Sequence, residues 1–177
     1  MATAIPVKPV FTVGERVSAS KMNTLASHAD WATDPPMVHL YPGANVTWAS
    51  ANNVTWTQNL SSLSNATVTL PAERITVPYT GIWEWTFQVG TSADPASGNP
   101  VRANLYTGTT DSTGTRIAGQ HGLRYSGITN YVQCTARVSM IAGTTWVRAT
   151  IASSTVGVTV YGSARETWLE GTLIARQ

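Results

Sequence analysis

The stretch Gly81-Ile82-Trp83-Glu84-Trp85-Thr86-Phe87-Gln88-Val89 decides the fold. Its large apolar residues fall on every second position. Trp83, Trp85, Phe87 and Val89 share one side of an extended chain, while Ile82, Glu84, Thr86 and Gln88 share the other. Successive side chains of a strand point to opposite faces. The alternation therefore specifies a half-buried β-strand with an aromatic core face, as antiparallel sheets carry.

Working outward, Tyr131–Met140 repeats the signal. Val132, Cys134, Ala136, Val138 and Met140 share one face; Tyr131, Gln133, Thr135, Arg137 and Ser139 share the other. A sandwich core is expected from Trp83, Trp85, Phe87, Val132, Cys134 and Val138. Cys134 reads as a small core hydrophobe, since no neighbour in sequence would lower its pKa. Further strands are expected at 38–41, 45–48, 53–56, 66–70, 74–77, 102–106, 115–119, 145–151, 157–161 and 167–175. They recur about every 8–12 residues, the rhythm of an all-β sandwich or barrel. Too little helix lies between them for parallel βαβ units. The last strand has apolar groups on both faces: Leu169, Gly171, Leu173 and Ala175 on one, Trp168, Glu170, Thr172 and Ile174 on the other. A sandwich strand buries one face, so the second is expected to be covered by another copy of the chain. Ile82 points the same way. Asn45-Val46-Thr47-Trp48 returns as Asn53-Val54-Thr55-Trp56, either a hairpin around residues 49–52 or a coincidence in a Thr-rich chain.

The N-terminal 36 residues read differently. Residues 1–17, with Pro6, Pro9 and Gly14, suggest an extended arm or a disordered terminus. Residues 18–34 form the one expected helix, with Ser18 or Ser20 as N-cap. Met22, Leu25, Ala29 and Ala32 recur at helical spacing, and Asp34-Pro35-Pro36 ends the run. This narrow stripe is too weak to hold a helix alone; Met22, Leu25 and Ala29 are expected to dock. The expected division is 1–36, arm and docking helix, and 37–177, the β domain.

Composition agrees with this reading. The 177 residues include 27 Thr, 7 Trp, 14 Gly and 9 Pro, a mixture of strand formers and turn formers. Charged residues make up 11% and the net charge is +2, with the nine arginines spread evenly along the chain. On that basis no basic face is expected, and a nucleic-acid clamp is excluded. One cysteine excludes an intrachain disulfide framework and a Cys-based zinc site. No run is apolar enough to span a membrane, and no secretory signal is visible, so synthesis in a cytosol is expected.

The search for chemistry returns little. His28, His39 and His121 have no metal-ligand spacing, and no two acids form a close pair. There is no phosphate loop and no nucleophile elbow. Neither a cofactor nor a metal is implied. Four Asn-x-Ser/Thr sequons read as Thr-rich strands. Glu84 and Glu170 stand out as charges within apolar strands, each expected either to meet an arginine such as Arg137 or Arg148 at a subunit boundary or to be solvated. The polar loops 91–100 and 107–114 are either connections or ligand-presenting segments.

The run Arg74-Ile75-Thr76-Val77-Pro78-Tyr79-Thr80-Gly81-Ile82-Trp83-Glu84-Trp85 resembles the "V-P-x-x-G-x-aromatic-x-aromatic" strand of the tumour-necrosis-factor and complement globular-head superfamily. Thr167-Trp168-Leu169-Glu170-Gly171-Thr172-Leu173-Ile174 is similar to its closing strand, although Glu170 departs from the family's smaller residue. Ala142-Gly143-Thr144-Thr145-Trp146 sits where the family has a turn glycine before a strand. Phe11-Thr12-Val13-Gly14-Glu15-Arg16-Val17-Ser18-Ala19-Ser20-Lys21-Met22-Asn23-Thr24 resembles the leader of small virion proteins from tailed phages of actinobacteria. The resemblance implies a jelly roll, a threefold homotrimer and no catalytic residues. It implies that Ile82, Glu84, Thr86, Leu169 and Leu173 face the trimer axis. The implied setting is the virion: a minor tail or fibre protein attached to other virion proteins through residues 1–36, with host-surface glycan as a possible ligand. The rival readings are a capsid decoration protein, a polysaccharide-acting enzyme and a carbohydrate-binding module. Neither nucleic acid nor membrane is an expected partner.

Overall fold

A computed structural model describes residues 9–48, 52–60, 66–92, 100–110, 113–123, 129–153 and 158–175. In chain order these form α1 (Ala19–Thr33), β1 (Met37–Tyr41), β2 (Val46–Trp48), β3 (Asn52–Asn53), β4 (Gln58–Asn59), β5 (Ile75–Thr76), β6 (Gly81–Thr91), β7 (Pro100–Thr109), β8 (Thr115–Leu123), β9 (Asn130–Met140), β10 (Thr145–Ser153), β11 (Val158–Val160) and β12 (Trp168–Ala175). The strands make two antiparallel sheets, seven-stranded and five-stranded, packed as a jelly-roll sandwich.

The aromatic strand β6 organises the larger sheet. One of its edges pairs with β9 from Gly81↔Met140 to Thr91↔Asn130. Its other edge pairs first with β12, then with β11 at Thr91↔Val160. β1 flanks β12 and β2 flanks β11, so β11 with β12, and β1 with β2, each run end to end as one long interrupted strand. At the interruption of β11 and β12, residues 163–167 leave the sheet in a turn. Gln88 donates to the carbonyls of Arg165 and Glu166, and the Gly90 amide donates to Thr167 Oγ1, which hold the excursion down. In the smaller sheet β10 lies between β7 and the two short strands β3 and β5, and β8 forms the far edge.

The core lies between the sheets. Trp83, Trp85, Phe87 and Val89 of β6, with Val132, Cys134 and Val138 of β9, meet Val101, Ala103 and Leu105 of β7 and Val147, Ala149 and Ile151 of β10. A fully buried side chain of this size contributes roughly 1.5–3 kcal/mol. Two of the indole N–H groups carried inward find acceptors: Trp83 Nε1 donates to the Tyr79 carbonyl at 3.1 Å and Trp85 Nε1 to Met140 Sδ at 3.1 Å, whereas Trp56 Nε1 is buried with no hydrogen-bond partner among the described residues. The two indoles stack at 5.9 Å, and Trp56 meets Phe87 edge-on at 6.0 Å.

Leu169 and Leu173 correct a sequence expectation. They are not on the outside: they are 0% and 1% exposed within the single chain. β12 pairs with β6 in the register Leu169↔Phe87, Gly171↔Trp85 and Leu173↔Trp83. Paired residues share a face, so both leucines belong to the sandwich core. The face left outside carries Trp168, Glu170 and Thr172. The repeated Asn-Val-Thr-Trp is not a hairpin either. β2 pairs with β11 in one sheet, whereas β3 pairs with β10 in the other, so the chain changes sheets between the copies. Residues 66–70 form no strand; they run irregularly into Pro71, which has no amide hydrogen to give to a ladder.

The helix runs close to its sequence boundaries. Ser18 Oγ accepts from the Lys21 amide at 3.2 Å, making it the N-cap. Glu15 pairs with Lys21 and accepts from the Thr12 amide, and these contacts pull its carboxyl down to about 2. Met22, Leu25 and Ala29, the docking stripe, are exposed along α1. Residues 1–8 of the expected arm lie outside the described residues, and residues 9–17 contain a turn with Gly14 at φ 81°.

Candidate functional site

No catalytic constellation is assembled among the described residues, nor does any group of three His, Cys, Asp or Glu there suit a metal ion. Cys134 is 7% exposed, and burial pushes its thiol up to about 11, which makes it a poor nucleophile. What the sandwich offers is two outer faces of unlike character.

The outer face of the larger sheet is built by the odd-numbered residues of β9 and β1 and the even-numbered residues of β6 and β12. Strand pairing lays them out in rows. Arg137, Glu84, Thr172 and Met37 form one row; Thr135, Thr86, Glu170 and His39 form the next; Gln133, Gln88 and Trp168 form a third. Ile82, Glu84 and Thr86, assigned to a trimer interface on the family resemblance, are half-buried here. Both acids of these rows have a side-chain partner within the chain. Glu84 Oε2 lies 2.7 Å from Arg137 Nε, the arginine expected for it. Glu170 meets no arginine. It meets His39, whose Nδ1 lies 3.1 Å from Glu170 Oε2 and whose ring stacks on Trp168 at 5.4 Å. The pairing Glu170↔His39 between β12 and β1 puts the histidine within reach. His39 Nε2 lies 3.3 Å from the Ala164 carbonyl, so the excursion after β11 covers the ring.

The outer face of the smaller sheet is cationic, which corrects the reading that the chain has no basic face. Arg148, Tyr106 and Arg116 lie side by side on β10, β7 and β8. Thr150, Asn104 and Gly119 make the neighbouring row, and Ala152, Arg102 and His121 the one beyond. Arg74, immediately before β5, reaches the same face. Its guanidinium lies 4.6 Å from the centre of the Trp146 ring, and that of Arg148 lies 5.4 Å from the ring centres of both Trp146 and Tyr106. These stacks hold both cations in place. Arg148 Nη2 donates to the Thr113 carbonyl at 3.3 Å, and Arg74 Nη1 to that of Thr110 at 3.5 Å. Arg148 Nε is buried with no hydrogen-bond partner among the described residues.

Trp146 is 2% exposed although it points away from the core. Its Nε1 donates to the Thr109 carbonyl at 2.6 Å, and Gly114 packs against the indole at φ 87°, where a side chain would collide with the ring. The segment after β7 is thus folded over the tryptophan. A cavity of about 240 Å³ opens beside Arg102, lined also by Pro100, Ala152 and Ser153. Residue separation in sequence hid this face. Arg74, Arg102, Arg116 and Arg148 are evenly spaced along the chain, yet the parity of Arg102-x-Asn104-x-Tyr106 and Trp146-x-Arg148-x-Thr150 was the signal that they share a side.

No family model matches the chain, and no curated protein matches it in sequence. Solved structures match its fold. Murine APRIL at pH 5.0 superimposes with a TM-score of 0.61 at 14% identity, covering 79% of this chain and 99% of that one. Eiger TNF from S. frugiperda gives 0.53 at 13% identity, covering 81% and 95%. At such identities the likeness establishes architecture alone: the chain has the tumour-necrosis-factor-like jelly roll, with one helix added ahead of its first strand.

Proposed function

We propose that the chain is a structural, non-enzymatic protein of a bacteriophage virion, a trimeric jelly roll of the tail or fibre apparatus that takes part in host-surface attachment. The outer face of the larger sheet carries this reading. It is a broad strand surface that sets Ile82, Met37 and Trp168 among neutral Thr and Gln side chains, with Glu84 paired to Arg137 and Glu170 held by His39 within the chain. Pairing within the chain means that covering this face with a copy of itself leaves no buried charge without a partner, which lowers but does not remove the desolvation cost. Three copies related by a rotation that closes make a ring without leaving open edges. The exposed stripe Met22, Leu25 and Ala29 supplies a separate apolar contact toward the rest of the particle. The virion setting is supported by the resemblance of residues 11–24 to phage leader sequences.

Sedimentation equilibrium tests the assembly: the expected mass is three times the 18.9 kDa of one chain. Thr86→Arg, in the middle row of the face, is expected to give monomers with an unchanged circular-dichroism spectrum. A monomeric wild type, or a trimeric Thr86→Arg variant, overturns the trimer. Immunogold labelling of particles is expected to decorate the tail; label confined to the capsid shell supports decoration instead, and unlabelled particles remove the virion role.

A further inference from the structure

The geometry points to a second binding surface: the outer face of the five-stranded sheet takes an acidic polysaccharide. The guanidinium groups of Arg74, Arg102, Arg116 and Arg148 receive its carboxylates, and the neutral row between them receives its hydroxyls. This names a ligand class for the attachment role proposed above and relies on that role only for its setting.

Charge is the first argument. None of these four arginines is in an ion pair among the described residues, whereas Lys21 and Arg137 are each neutralised by a glutamate. Glu84 and Glu170 lie on the opposite face of the sandwich; Glu73 is at the edge of the cationic face, where it accepts at 2.8 Å from Nδ2 of Asn53, the strand partner of Thr150. Four arginines with no ion pair among the described residues thus share one side of the sandwich. Unpaired guanidinium groups on a common face are a receptor for anions, and their planar forks suit carboxylates.

Spacing is the second. Arg148 and Arg116 flank Tyr106 across three neighbouring strands, so their backbones lie roughly 10 Å apart, two strand spacings. Arg102 stands four residues from Tyr106 along β7, roughly 13 Å away. A polymer with charges at intervals can meet all of these positions at once. Between the cations lies Thr150, a half-buried hydroxyl that accepts from the buried Asn104 amide at 3.5 Å and can itself donate to a sugar oxygen. Arg102 also borders the cavity at the end of the face.

Preorganisation is the third. Arg74 and Arg148 are stacked on aromatic rings and tethered to backbone carbonyls, so little side-chain freedom is lost on binding. The same stacking argues against nucleic acid. Single-stranded binders present bare rings on which bases lie, but here Trp146 is covered and Arg148 lies over Tyr106.

The test uses the full chain at low salt, with polygalacturonate as the uronic-acid probe, dextran as the neutral one and oligothymidylate as the nucleic-acid one. Titration calorimetry is expected to show binding of polygalacturonate that weakens with added salt, and none of dextran. Arg102→Gln/Arg116→Gln, at two exposed positions off the tryptophan stack, is expected to lose roughly fivefold to thirtyfold in affinity. Ala26→Glu, an exposed position of α1 outside the Met22, Leu25 and Ala29 stripe, lowers the net charge by one and is expected to change nothing. The proposal is overturned by absence of polygalacturonate binding, by equal binding of dextran, by tighter binding of oligothymidylate, or by an unaltered affinity in the folded double variant. Sedimentation mass in the same samples distinguishes failure of the trimer from failure of the ligand site.

Discussion

Gly171 lies in the middle of β12, opposite Trp85, and the indole occupies the space a side chain would need. A Cβ built on Gly171 sits 2.5 Å from Trp85 Cζ3 and 2.7 Å from both Cε3 and Cη2. Carbon atoms prefer about 3.5–4.0 Å, so Gly171→Ala obliges the ring to move by about 1 Å. Trp85 has little room to do so: it is fully buried, stacked on Trp83 and hydrogen-bonded to Met140. Overpacking of this kind costs about 1–3 kcal/mol, against which replacing a strand glycine returns about 0.5–1 kcal/mol. The net expectation is a loss of about 1–2 kcal/mol, or about 2–8 °C in melting temperature for a chain of this length. Urea unfolding followed by circular dichroism at fixed protein concentration measures it. In Gly171→Ala/Trp85→Leu the smaller partner removes the collision, so the two losses should sum to more than the double variant shows. A neutral or stabilising Gly171→Ala, or strict additivity, would refute the Gly171↔Trp85 register and with it the placement of β12.

Leu169→Ala should cost about 2–5 kcal/mol through the cavity it leaves, with the sedimentation mass of the folded protein unchanged; dissociation without that loss would return Leu169 to an interface. Burial raises the Cys134 thiol from about 9 to about 11. The fold therefore favours the neutral thiol, and stability should be full below about pH 9 and decline toward pH 11. Cys134→Ala should flatten that decline in a pH series of urea midpoints, and a thiol reagent at neutral pH should label the wild type only after unfolding. A double-mutant cycle on Glu84 and Arg137 should yield no more than about 1 kcal/mol, shrinking with salt, because the arginine is largely exposed.

The aromatic strand was legible because its alternation is unbroken from Trp83 to Val89, and β6 has that burial pattern in the structure. The helix was legible from Ser18 at one end and Asp34-Pro35-Pro36 at the other. Leu169 and Leu173 misled because β12 has bulky residues on both sides; periodicity identifies two faces but does not say which one turns inward. That choice belongs to the register with Phe87 and Trp83, a pairing across more than eighty residues of sequence. Glu170 likewise found His39 through the pairing of the first and last strands. The cationic face was missed for a related reason. Four dispersed arginines carry no local signature, and they converge because β10, β7 and β8 lie side by side and Arg74 leads into β5. The Trp-Arg stack around Trp146 needed the chain after β7 to fold back, which no pattern within β10 announces.

The place of β12 has a consequence for biogenesis. It is the latest-made of these strands, yet it is inserted between β6 and β1, both synthesised far earlier. Until residue 175 has left the ribosome, the larger layer lacks its middle plank, and Val38, Leu40, Trp85 and Phe87 have no lid. The larger layer is then completed in one late step, slow by the standards of locally wired folds. A nascent chain stalled before Trp168 would be a sticky open book, a natural client for chaperones.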